Sequence, residues 1–237
     1  MVQAGTSQNN SGVVLYEDKV NLHKGLSPEM EVFKDRIPEF RTSEKVFYFN
    51  GTEGIYKKPE PDSTEAKPQQ GRRGWGRWGR GGQENSEYYT DFNSSETIDY
   101  IEFFGKEFLI KGEKKQIDWK ITPDQKQVGS YLCMKAVHQD STQTIEAWFT
   151  PMIPVSAGPE DYAGLPGLIL RLDFDDGKRT ITATDIQLKQ IEEGIIVKPT
   201  KGKQMSKEKF EKLRDEKTAE REAEWEARRK RWMNSRD

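Results

Sequence analysis

Short runs of alternating apolar and polar positions recur between residues 12 and 188, with turn-forming residues between them. In GVVLYEDKVNLHK at 12–24, Val14 and Tyr16 alternate with Val13 and Leu15, and Val20 and Leu22 follow, the period of two that marks a strand. Runs at 45–50 and 53–57 flank Asn50-Gly51, a dipeptide that supplies the positive φ of a tight hairpin. The same period returns at 88–92, 97–104, 106–111, 116–121, 131–139, 142–150, 168–174 and 178–188. Gly105, Lys111-Gly112, Pro123-Asp124, Asp140-Ser141 and Asp176-Gly177 are the turn signals that separate these runs. Successive strands joined by short turns predict an antiparallel meander, which must close on itself or have its apolar face and edges covered. The expectation is a mainly β protein, a single domain of antiparallel meandering strands over 12–198 that forms a curved sheet or incomplete barrel.

Three segments depart from that pattern. Residues 1–11 are small and polar and read as a disordered tip. Between 58 and 87 the apolar signal gives way to prolines, polar residues and GRRGWGRWGRGG at 71–82, which reads as a mobile insertion. Its arginines and glycines with Trp75 and Trp78 suit an arm for single-stranded nucleic acid, a cationic, aromatic contact for a protein or glycan surface, or a solvated loop whose tryptophans tuck against the domain. From Ser206 to Asp237 there are 11 basic and 9 acidic residues among 32, with Ser206 placed to cap a charged C-terminal α-helix after a linker from 199. Glu208 with Lys212 and Glu224 with Arg228 have the favourable acid-first spacing of four. Trp225 and Trp232 share an arc with Phe210 and Leu213 that Lys217, Arg221 and Arg228 interrupt, so the segment reads as a partner-binding helix with these tryptophans as anchors or as a solvated terminal helix that docks by its first turns and frays.

Composition narrows the chemistry. The 237 residues carry 38 basic and 40 acidic side chains, a balance that excludes a globally basic nucleic-acid binder. No apolar run approaches the ~18 residues of a membrane-spanning helix, so any membrane association is peripheral. One cysteine and two histidines rule out an intrachain disulfide, a CxxC motif and the usual zinc spacings. Cys133 and His138 stand five apart on one strand, an odd separation that sends them to opposite faces. Ser156 is in no nucleophile elbow. The Asp173, Asp175, Asp176 and Gly177 cluster reads as a hairpin turn rather than a calcium loop. Glu160 and Asp161, adjacent on a loop, read as solvated. No catalytic, cofactor or metal residues are therefore assigned, and a non-enzymatic protein is expected.

The most unusual stretch is AWFTPMIPVSAGPEDYAGLPGLIL at 147–170. Its prolines block regular ladder bonding and its glycines admit positive φ, so it is a defined loop, with Leu165-Pro166-Gly167-Leu168 fitting a type II turn. The hexapeptide Gly164-Leu165-Pro166-Gly167-Leu168-Ile169 resembles the motif for which the GLPGLI family is named. Trp119-Lys120-Ile121, Tyr131-Leu132-Cys133-Met134-Lys135-Ala136, Ala147-Trp148-Phe149-Thr150, Ile153-Pro154 and Gly158-Pro159 precede it in that family's order. The resemblance covers about 12–205 without the insertion. It implies a Bacteroidota envelope family of unassigned activity, usually exported and often encoded near TonB-dependent outer-membrane receptors. The N-terminus lacks the basic start and apolar run of a signal peptide. The expectation is a periplasmic or outer-membrane-associated chain from which the leader has been removed.

Together these readings give a non-enzymatic cell-envelope binding or accessory protein whose partner is an outer-membrane receptor or another envelope protein. Gly158, Pro159, Gly164, Leu165, Pro166, Gly167, Leu168 and Ile169 are the candidate contact loop, with Trp75, Trp78, Trp225 and Trp232 as candidate anchors. The alternative is a carrier that holds a lipid or other apolar small ligand in the concave face of the sheet. The loop is equally readable as a structural plug.

Overall fold

The structure is a computed structural model and describes residues 10–26, 28–60 and 85–234. Twelve strands form one sheet: β1 (Gly12–Asn21), β2 (Phe40–Phe49), β3 (Glu53–Lys57), β4 (Glu87–Asp91), β5 (Glu96–Phe103), β6 (Lys106–Glu113), β7 (Lys120–Val128), β8 (Tyr131–Gln139), β9 (Thr144–Thr150), β10 (Leu168–Phe174), β11 (Arg179–Leu188) and β12 (Lys203–Ser206). One long helix, α1 (Lys207–Asn234), follows. The spatial order is β12-β6-β5-β4-β3-β2-β1-β11-β10-β9-β8-β7, so β1 joins two meanders, and β12 and β7 are unpaired edges of a sheet that does not close. All pairs are antiparallel except β12 with β6. The mainly β fold with a C-terminal helix is as the sequence pattern predicts.

Several boundaries differ from the pattern. β2 begins at Phe40 rather than 45, because Arg41 to Glu44 form a polar extension paired with β1. Lys111-Gly112 is not a turn, since β6 continues to Glu113. Pro123 lies inside β7 rather than in a turn; the edge position tolerates its missing N–H, and the register with β8 shifts between Ile121 and Gln125. β12, too short to carry a period, is reached by a crossing over the outer face, where Ile196 packs on Tyr89, Ile98 and Leu109. The Asp176-Gly177 turn forms as read, with Asp175, Asp176 and Gly177 all at positive φ. Asp173 accepts the Gly177 N–H at 2.6 Å and Asp175 the Thr144 N–H at 3.0 Å, so these carboxylates serve the turn.

Inward-facing residues of β1, β2 and β8–β11 make the main core, including Val14, Phe47, Phe49, Cys133, Ala136, Phe149, Leu168, Leu170 and Ile181. A second cluster forms where Phe210 of α1 inserts among Ile101, Phe108 and Ile110, with Phe103, Met205 and Leu213 around it. Ser206 caps α1 through the Lys209 N–H at 3.4 Å. The first two turns of the helix thus dock by a small apolar patch, and the charged remainder extends beyond it.

Candidate functional site

The loop between β9 and β10 folds into the concave side. Tyr16 donates its hydroxyl hydrogen to the Ile169 carbonyl (2.7 Å), Trp119 its indole N–H to Ala163 (2.8 Å), and Lys114 an ammonium hydrogen to Ser156 (2.6 Å). The backbone N–H groups of Leu168 and Ile169 bond Ile153 and Ala157. Gly158, Pro159, Gly167, Leu165, Leu168 and Ile169 are buried, and Gly164 and Pro166 are exposed. The expected type II turn is not formed: the Gly167 N–H bonds Leu165, two residues back, closing a tighter turn. Gly167 sits at φ +154°, and a Cβ there would lie 2.2 Å from the Thr150 carbonyl oxygen. The hexapeptide is thus packed as a plug whose apolar side chains complete the core. Trp75 and Trp78 lie outside the described residues; Trp225 and Trp232 lie on α1, and their side chains are also outside what is described.

Above this plug the sheet's curl brings distant charges together. In one cross-strand row, Val14, Phe47, Tyr56, Tyr88, Asp99, Ile110 and Met205 stand opposite one another across seven neighbouring strand positions. Asp99 is the one ionisable acid of the row, at 5% exposure, and its Oδ1 has no hydrogen-bond partner among the described residues. Facing it is the turn Pro159–Tyr162, in which Glu160 takes φ +55°, a left-handed conformation that costs a non-glycine residue about 1 kcal/mol. That conformation accompanies the aim of the Glu160 carboxylate at Arg179, which also holds Asp18 through two bonds of 2.7 and 2.9 Å. The next residue, Asp161, pairs with Lys207 at the start of α1 (2.7 Å). Lys45 of β2, 6% exposed, faces the same group of charges.

The result is a cleft of about 510 Å³ lined by Tyr88, Asp99, Glu160, Asp161, Tyr162, Arg179, Lys207 and Phe210, among others, with Lys115, Lys178, Glu211 and Arg214 exposed around its mouth. Burial pushes the Asp99 carboxyl up to about 7; Asp161 and Glu160 add to the rise and Lys207 opposes it. Burial also lowers the Lys45 ammonium, against the pull of Glu160 and Asp18. For Arg179 burial works downward, but the charges and hydrogen bonds of Glu160 and Asp18 outweigh it and raise the guanidinium further. Burial raises the phenols of Tyr56, Tyr88 and Tyr162, so they stay protonated. Among the described residues no group of three or more His, Cys, Asp or Glu is arranged to hold a metal ion.

Glu160 and Asp161, which from the sequence read as solvated, are instead fixed in ion pairs. Asp99 did carry a signal, since it lies in phase with Thr97 and Ile101 on the buried face of β5. Arg179 and Asp18, 161 residues apart, carried none. The two histidines serve elsewhere: His23 contacts the Ile37 carbonyl and His138 that of Asp118. Cys133 is in the core, where burial pushes its thiol up to about 11.

Comparison with known proteins adds fold and a family stretch. Residues 137–171, which span β9, the plug and the hexapeptide, match a Bacteroidota-associated family described as a protein of unknown function (Porph_ging). Structures of PNGF-II in the P21 and C2 space groups superpose on 86% of this chain with TM-scores of 0.57 and 0.56 at 12% identity. The chain spans about a third of the PNGF-II chain, 33% and 32% in the two structures, so the likeness is of fold. A comparison with curated proteins found no match. Among the described residues no helix is long and apolar enough to cross a membrane.

Proposed function

We propose that this protein is a non-enzymatic binding protein of the cell envelope, an accessory to an outer-membrane TonB-dependent receptor, and that it binds through the cleft over Asp99. The observation that carries this reading is the convergence of fixed ion pairs from β1, the 159–162 turn, β11 and α1 around a buried carboxyl whose Oδ1 has no hydrogen-bond partner among the described residues. Polar groups held rigidly in a concavity are the usual makings of a binding site. The chain's one cysteine and two histidines are engaged in packing or backbone contacts, which counts against catalysis by a thiol or an imidazole. Export and a receptor association come from the resemblance to the GLPGLI family, with which the match to a Bacteroidota-associated family fits. The carrier of an apolar ligand is less well supported: the concave side is filled by the plug, and ten charged side chains line the cleft beside Ile101, Ile110 and Phe210.

The test is affinity capture with cross-linking of the tagged, full-length protein from native envelopes. Recovery of one outer-membrane receptor with the protein is the expected result. Fractionation of the protein with the cytoplasm, or its recovery from envelopes alone after cross-linking, would count against the reading.

A further inference from the structure

The cleft is lined by as many acidic as basic side chains, Asp99, Glu160, Asp161, Asp175 and Glu211 against Lys115, Lys178, Arg179, Lys207 and Arg214, but the basic ones at the mouth are exposed and the two of the interior are already engaged. Arg179 is taken by Asp18 and Glu160, and Lys207 by Asp161. The carboxyl left over is Asp99, buried on the floor, and among the described residues neither its Oδ1 nor the buried Tyr56 hydroxyl has a hydrogen-bond partner. An uncompensated buried charge is expensive, so the group either keeps a proton or acquires a counter-ion. Apolar walls from Ile101, Ile110 and Phe210 raise the strength of any charge pair formed there.

We infer that the cleft binds its ligand through a cationic nitrogen, an ammonium or guanidinium group, seated against Asp99. This rests on the reading of the cleft as the binding site and adds the chemistry it selects. The incoming cation pairs with the Asp99 carboxylate and displaces the proton that otherwise neutralises it; the proton leaves to solvent. The cleft's volume accommodates a small molecule or the end of one side chain. Because the proton and the ligand compete, affinity rises with pH until Asp99 is ionised. The titratable and charged groups that line the cleft with Asp99 are Tyr88 from β4, Lys115 after β6, Glu160, Asp161 and Tyr162 from the turn, Asp175 and Lys178 from the turn after β10, Arg179 from β11, and Lys207, Glu211 and Arg214 from α1.

The test is an NMR amide-shift titration of the full chain with matched probes: n-butylamine and butylguanidine as cations, 1-butanol as the neutral analogue, butanoate as the anion, and a Gly-Gly-Lys-Gly peptide. The cations are expected to shift Tyr88, Asp99, Tyr162 and Phe210 and to bind at least tenfold more tightly than 1-butanol. Asp99→Asn, close in shape to the protonated acid, is expected to abolish that preference, and lowering the pH from 7.5 to 5.5 to weaken the cations about tenfold or more. Tighter binding of the peptide than of butylamine assigns the cation to a partner protein, and the reverse to a free small molecule. Butanoate or 1-butanol binding as well as the cations at these residues overturns the inference but leaves the cleft a binding site. If no probe shifts a cleft residue the inference fails, while receptor capture decides the accessory role separately.

Discussion

Replacing Asp99 by Asn separates the electrostatic cost of this side chain from its place in the packing. The carboxyl is held at about 7 against an ordinary 3.8, with burial the largest cause. A raised carboxyl binds its proton more tightly in the folded than in the unfolded chain. Its stabilising contribution is therefore complete below pH 3.8, shrinks as the pH rises, and is gone above about 7. At roughly 1.36 kcal/mol per pH unit, the interval amounts to about 4 kcal/mol. Asparagine is neutral throughout. At pH 4 the variant should lie within about 1 kcal/mol of the parent, and above pH 7.5 it should be more stable by up to about 4 kcal/mol. Urea unfolding of both proteins at half-unit steps from pH 4 to 9 measures this, and the difference between them cancels groups that titrate alike in both. A melting point higher by roughly 8 to 16 °C at pH 8 is the corresponding thermal signal for a chain of this size. A pH-independent difference, or a variant less stable at pH 8, would refute the reasoning, because Asp99 would then be an ionised group with a favourable partner.

Other substitutions probe the parts around it. Arg179→Met leaves Asp18 and Glu160 facing each other without their shared cation and is expected to cost about 3 to 5 kcal/mol at pH 7, less at pH 4, by urea unfolding. Phe210→Ala empties the second apolar cluster, at about 3 to 5 kcal/mol for a buried phenylalanine, and releases α1; faster proteolysis within the first turns of α1, ahead of global unfolding, checks it. Gly167→Ala forces a Cβ toward the Thr150 carbonyl and should lower stability by more than about 2 kcal/mol, whereas Pro166→Ala at the exposed neighbour should change it by under 1 kcal/mol.

Most of the sheet was legible because its hairpins alternate apolar and polar residues between recognisable turns. The parts that were not lack that period for physical reasons: the first half of β2 is exposed, and β12 gains its pairing only when the chain has crossed the outer face. The 147–170 loop was legible as a defined, rigid element. Whether Leu165, Leu168 and Ile169 turn in or out was not, because the same apolar residues serve a plug and a contact surface. The cleft was the least legible feature. Its ion pairs join Asp18 to Arg179 and Asp161 to Lys207 across the fold, and no local pattern records a partner that distant. Asp99 was the exception, an acid at a position where the alternation of β5 calls for a buried residue.

On the function proposed above, the cleft over Asp99 is the surface by which this protein engages its partner. Site-directed photo-cross-linking in native cells, with the photoreactive residue at Arg214 on the mouth of the cleft, tests it most directly. The account predicts an adduct with a single outer-membrane receptor that disappears when Asp99→Asn is added to the otherwise folded protein. An adduct that persists unchanged with Asp99→Asn, or that forms only from a control position at Leu132 on the far meander, would contradict it.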